Sequence, residues 1–170
     1  MKRLVFVVLA ACLLSAMGSN TAVEATRPTA KCFDVDADFT SELTTEGCTS
    51  PLGLCASGVI KHDPLIKGPM FVSINDGAAS AGMPASEPES VLSVSGERIL
   101  RPRRGGTLSA HVVGIGIFGA SGHLTMFDEL NLITGGTGRF AGATGTLHVA
   151  GRATSPTTFA GEMSGTICMR

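Results

Sequence analysis

The sequence predicts an all-β chain, an eight-stranded antiparallel up-and-down β-barrel. Three observations carry that expectation. Apolar and polar residues alternate with a period of two along successive runs, Gly, Pro and Asn separate the runs at short intervals, and no long stretch after the first segment has helical apolar spacing. Consecutive strands with short connections and no crossover helix form a meander, and closing it removes its two exposed edges. A barrel of that size is narrow, with room for its own side chains or for one modest ligand.

The first strand spans 33–44, "FDVDADFTSELT", where odd positions are apolar or small and even positions are acidic or hydroxylated. Asp34, Asp36 and Asp38 imitate the opening of a calcium loop, but Phe39 and Thr45 stand where such a loop needs Gly and Glu. They are therefore read as a solvated strand face. The remaining runs are 57–62, 69–75, 91–100, 107–118, 123–134, 144–152 and 159–168. Between the third and fourth, 76–89, "DGAASAGMPASEPE", has the composition of a mobile loop or lid. No boundary divides the region 26–170, which is expected to be a single domain.

Residues 1–25 read as a signal peptide: Lys2 and Arg3, an apolar run from Leu4 to Ala16 too short to span a bilayer, and Val23-Glu24-Ala25 as a cleavage site. Leu9-Ala10-Ala11-Cys12 offers a rival lipidation box, but it would leave a very short apolar region. The expected product is soluble and extracytoplasmic, secreted or periplasmic, with no membrane insertion after the signal is removed. Losing Lys2, Arg3 and Glu24 reduces 13 basic residues to 11 and 14 acidic to 13. So even a balance gives no electrostatic reason to bind nucleic acid. The absence of Trp and Tyr also argues against base-stacking platforms. Arg98, Arg101, Arg103 and Arg104 form the only basic cluster, and Pro102, Gly105 and Gly106 mark it as a hairpin turn.

Cys12 leaves with the signal, so four cysteines remain, which in an exported chain read as two disulfides with three possible connectivities. Cys48 and Cys55 flank a turn-rich loop and suit a local staple, which leaves Cys32 to join Cys168 and tie the first strand to the last. Paired C-x-x-C spacing is lacking, so no metal site is expected from them.

The run 135–143, "GGTGRFAGA", carries the spacing of a dinucleotide fingerprint, yet β-branched, Gly-punctuated sequence follows it instead of a helix. It reads as a wide turn between two strands. The same residues resemble the GGTG-x-F-x-x-A turn of plant allene oxide cyclases and dirigent proteins, and the mature chain looks like exported bacterial proteins with an allene-oxide-cyclase-like barrel. That resemblance implies an eight-stranded barrel, often trimeric, with an apolar cavity and no cofactor. Outside the turn no catalytic position of the cyclases matches this chain residue by residue, so it assigns no catalytic residue.

Hairpin geometry then nominates an interior. In 123–134 the even positions Leu124, Met126, Leu130 and Leu132 are apolar and are taken as inward, with Asp128 among them. A two-residue turn at Ala120-Ser121 would set Leu130 opposite His111 and Asp128 opposite Val113. A hairpin centred on 102–105 would match His111 with Gly96 and Ser109 with Arg98. On these registers Arg98 and Asp128 flank His111 as diagonal neighbours, about 7–8 Å away between backbones. The three form a candidate ligand-binding handle in an otherwise apolar lumen. His123, about 23 Å further along the strand, cannot share a metal with His111, and His148 points outward. The leading expectation is a barrel that binds a small, largely apolar molecule. A cofactor-free cyclase or isomerase is the alternative, and a third is a structural barrel filled by residues such as Phe39, Met126, Phe159 and Met163 that acts through its loops.

Overall fold

The computed structural model describes residues 30–79 and 90–170. The expected signal peptide lies outside them, and so does most of the 76–89 connection. The eight strands are β1 (Lys31–Leu43), β2 (Leu54–Lys61), β3 (Gly68–Ala79), β4 (Ser90–Leu100), β5 (Leu108–Phe118), β6 (Leu124–Gly136), β7 (Thr144–Ala153) and β8 (Thr158–Met169). Each pairs antiparallel with its sequence neighbours, and β1 with β8 closes the barrel. The glycine run forms the β6–β7 connection, a single 3-10 turn at Gly138–Phe140 whose Phe140 is driven fully into the core.

The closing seam runs from Lys31 opposite Met169 to Glu42 opposite Thr158. Cys32 and Cys168 are register partners in it and are joined by a disulfide; Cys48 and Cys55 form the second. Along β1 the alternation holds as read: Val35, Ala37 and Phe39 are buried, while Asp34, Asp36 and Asp38 are exposed. β3 is longer than its sequence suggests. Asp76 to Ala79 continue the strand after a bulge following Ile74, because pairing with Ser95 to Leu92 of β4 outweighs the turn-like composition of those residues.

Two hairpin registers differ from expectation, and they differ in kind. Arg98 pairs with Ala110, not Ser109, a slip of one residue that turns the whole face of β5 over. In the β5–β6 hairpin the Gly119 amide donates to the His123 carbonyl, so the turn is one residue longer than a two-residue loop, and a bulge at Ile117/Phe118 adds another. Val113 thus meets Leu130 in place of His111, a slip of two that preserves which residues share a face. The expected inward set of β6 is in fact the outward one: Met126, Leu130 and Leu132 are 49%, 50% and 53% exposed, whereas Glu129, Asn131 and Ile133 are buried.

The lumen divides into two halves. One end is packed solid by Leu100, Leu108, Ile133, Phe140, Leu147 and Ile167 with Ile66 from the β2–β3 connection. Asp63 anchors that connection: its carboxylate accepts from the amides of Leu65 (2.7 Å), Ile66 (3.0 Å) and Asp36 (3.3 Å). The other end is only partly filled.

Candidate functional site

The partly filled end encloses a cavity of about 190 Å³. Its walls come from seven strands: Phe39 of β1, Ala56 of β2, Val72 and Ile74 of β3, Val94 of β4, Gly116 of β5, Phe127 of β6 and Phe159 of β8. Leu43 and Leu54 stand at its rim, 42% and 38% exposed. Ala56, Val72, Val94 and Gly116 are short beside the three phenylalanines, and that leaves space between them. Three phenyl rings form one wall: Phe127 lies 6.1 Å from Phe39, tilted, and 6.0 Å from Phe159, edge-on.

That wall depends on two glycines. Gly151 and Gly161 are opposite each other on β7 and β8. A Cβ at Gly151 would stand 2.8 Å from Cε1 of Phe127, and one at Gly161 would stand 2.8 Å from Cζ of Phe39. The rings occupy the room that the missing side chains leave.

Between the cavity and the packed end lies a polar layer. Arg98 is 2% exposed, and its Nη2 donates to Oε2 of Glu129 at 2.6 Å while its Nη1 donates to Oδ1 of Asn131 at 2.9 Å. The contacts span β5, because Arg98, Asn131 and Glu129 face its Ala110, Val112 and Gly114. Gly114 matters: a Cβ there would come within 2.9 Å of Cγ of Glu129. The ion pair neutralises itself, so this layer carries little net charge. Two donors are unspent, however, since neither Nε of Arg98 nor Nδ2 of Asn131 has a partner. Arg98 and Glu129 both line the cavity, and together they present donor and acceptor capacity to whatever occupies it.

The structure brings together only one of the three residues nominated from sequence. Arg98 points inward as expected, but His111 and Asp128 lie exposed on the outer wall. The one-residue slip against β4 carries His111 outward, and the inverted face of β6 carries Asp128 with it. Asp128 pairs instead with His148, whose Nε2 lies 2.8 Å from its Oδ1, and His148 points outward as read. His123 sits at the cavity rim, exposed and beyond the end of β6. Arg101, Arg103 and Arg104 occupy the solvated turn, from which Arg98 is set apart by burial. Sequence reading missed Glu129 and Asn131. Their signal was available: an inward Arg in an apolar lumen requires an anion within reach, and Glu129 alternates with Asp128.

No family model matches the chain, and no curated protein matches it. Among solved structures it is similar to the pterocarpan synthase dirigent protein GePTS1, at 13% identity and a TM-score of 0.32, over 88% of this chain and 98% of that one. So loose a likeness carries no argument, and the closed eight-stranded architecture rests on the strand register itself. Two disulfides mark the fold as that of an extracytoplasmic protein, since such bonds persist in oxidising compartments.

Proposed function

We propose that this protein is an exported binding barrel whose lumen takes one small, neutral, largely apolar molecule, with Arg98 and Glu129 meeting its single polar group. The observation that supports this most is an apolar cavity ending on a self-neutralised ion pair. A cavity of about 190 Å³ is somewhat larger than the ~150 Å³ engineered cavity that holds benzene, so the ligand is about one ring in size. Walls of Phe39, Phe127 and Phe159 favour a flat apolar body. A charged ligand is disfavoured, because Glu129 already matches the guanidinium and an added charge would lose its hydration without a counter-ion.

The absence of Trp and Tyr makes the test direct, since the emission of added indole is free of protein background and its shift to shorter wavelength reports transfer out of water. Indole is expected to bind saturably and more tightly than indole-3-carboxylate by about tenfold, equivalent to ~1.4 kcal/mol. Ala56→Leu or Val72→Phe, which fill the cavity from β2 and β3, should abolish the signal while the barrel's circular dichroism is kept. Indole that fails to saturate, or binds equally to the filled variants, overturns the reading.

A further inference from the structure

The near-neutral total charge conceals a segregation along the barrel axis. Strand order sends three connections to the packed end: 62–67, 101–107 and 137–143. They hold Lys67, Arg101, Arg103, Arg104 and Arg139, all exposed. Their one acid is Asp63, which is buried with its carboxylate already committed to backbone amides. His62 is paired with Asp38, and Lys31 and Asp34, both on β1 near this end, offset each other in charge. At the mouth, by contrast, the connections 44–53, 119–123 and 154–157 contain Glu46 and neither Lys nor Arg. The arginines at 101–104 are clustered in the sequence; the fold adds Lys67 and Arg139 from distant segments.

Hydrogen bonds fix this basic face. The Arg103 amide donates to the Lys67 carbonyl at 2.9 Å, the Thr137 amide to the Thr107 carbonyl at 2.9 Å, and Nη2 of Arg139 to the Leu65 carbonyl at 3.1 Å. Each connection is thereby tied to the other two, so little backbone order remains to be lost on binding. Ile66 and Phe140 seal the core behind the face, which therefore presents an array of charges on a closed floor. Among the described residues none of the five bases forms an ion pair. Arg139 lies over the Phe140 ring, 4.7 Å from its centroid, and keeps the donors that Leu65 does not take. Like charges gathered in this way repel one another, and an anionic surface relieves that repulsion.

We infer that the packed end of the barrel docks, without inserting, on an anionic phospholipid surface. Guanidinium forks match headgroup phosphates in two-point contacts, and the four arginines outnumber the single lysine. A protein partner suits the face less well, because an interface between proteins is built on an apolar centre and none of the large exposed apolar side chains belongs to these connections. A bilayer needs only opposite charge spread over a plane. The two disulfides mark a protein of oxidising compartments, away from nucleic acid. Docked by this end, the barrel turns its cavity mouth away from the bilayer, so the inference stands independently of the binding role proposed above.

Co-sedimentation of the intact mature protein with vesicles of phosphatidylglycerol and phosphatidylcholine in equal parts tests this. Binding is expected at low ionic strength, is lost at about 1 M salt, where the screening length falls to ~3 Å, and is absent from vesicles of phosphatidylcholine alone. Arg103→Ser with Arg104→Ser should weaken it by about 25-fold, at roughly fivefold for each charge removed, and Lys67→Ser, on a different connection, by about fivefold. Arg152→Ser removes a base at the mouth end of β7 and should change nothing. Circular dichroism and melting temperature should stay at wild-type values in all three variants. A protein that ignores phosphatidylglycerol vesicles at low salt overturns the inference. So does capture by heparin without vesicle binding, which assigns the face to a soluble polyanion, and so does vesicle binding that Arg152→Ser weakens as much as Lys67→Ser.

Discussion

Arg98 and Glu129 form an ion pair of 2.6 Å across the inner face of β5, with both side chains less than a tenth exposed. It is the boundary between the packed half of the lumen and the hollow half. Removing two charges from water costs several kcal/mol each; the ion pair and the bond to Asn131 offset part of that cost, while Nε of Arg98 is left without a partner.

Breaking the pair from one side should therefore be worse than removing it altogether. Glu129→Leu alone is expected to destabilise by about 3–5 kcal/mol, because it leaves a buried guanidinium uncompensated, and Arg98→Met with Glu129→Leu should recover most of that loss. Urea unfolding of the three proteins decides it. If the double variant is no more stable than the single, the ion pair is not the unit that matters.

The two disulfides should differ in weight for a reason of chain length. Cys32 and Cys168 are 136 residues apart and Cys48 and Cys55 are 7 apart. Loop-closure entropy assigns about 5 kcal/mol to the first and about 2 to the second. Replacing each pair by Ser and comparing urea midpoints checks the order. Equal losses would mean that the seam between β1 and β8 holds the reduced chain's ends together without the bond.

What the sequence made legible follows from where the polar residues fall. β1 reads correctly because its outer face is acidic and its inner face apolar, so periodicity and burial agree. β6 reads backwards for the converse reason: its inner face holds Glu129 and Asn131, its outer face Leu130 and Leu132. A rule that sends apolar residues inward must invert such a strand. Register carried the rest of the error, since nothing in the composition of the turn after Leu100 announces that Arg98 meets Ala110 and not Ser109, the one-residue slip that turns His111 outward. Closure was legible because it depends only on strand count and order, and the disulfides because the turn-rich loop between Cys48 and Cys55 leaves Cys32 and Cys168 to each other.

Asp63 is buried, with its carboxylate shared among three backbone amides. Asp63→Ala would orphan the donors of Leu65 and Ile66 at the packed end, where Ile66 is fully buried. The expected loss is about 1–3 kcal/mol. Asp63→Asn, which keeps one acceptor oxygen, should lose less. Thermal unfolding of both separates an acceptor role from a simple packing role, which would be indifferent to the Asn.

Gly151→Ala tests whether the aromatic wall is set by the glycine behind it. The new Cβ would meet Cε1 of Phe127 at 2.8 Å, closer than such carbon atoms approach, so the ring must move. Backbone blocks retreat towards β7, and the open direction is the cavity. Phe127 is thus expected to swing into the space between Phe39 and Phe159, reducing the ~190 Å³ volume and weakening indole binding by about tenfold or more. Stability should fall by only about 1–3 kcal/mol, the range for a crowded core that can partly relax. Phe127→Leu in the same background removes the offending ring edge and should restore both. An Ala variant that binds indole as well as wild type would show that the ring had another place to go.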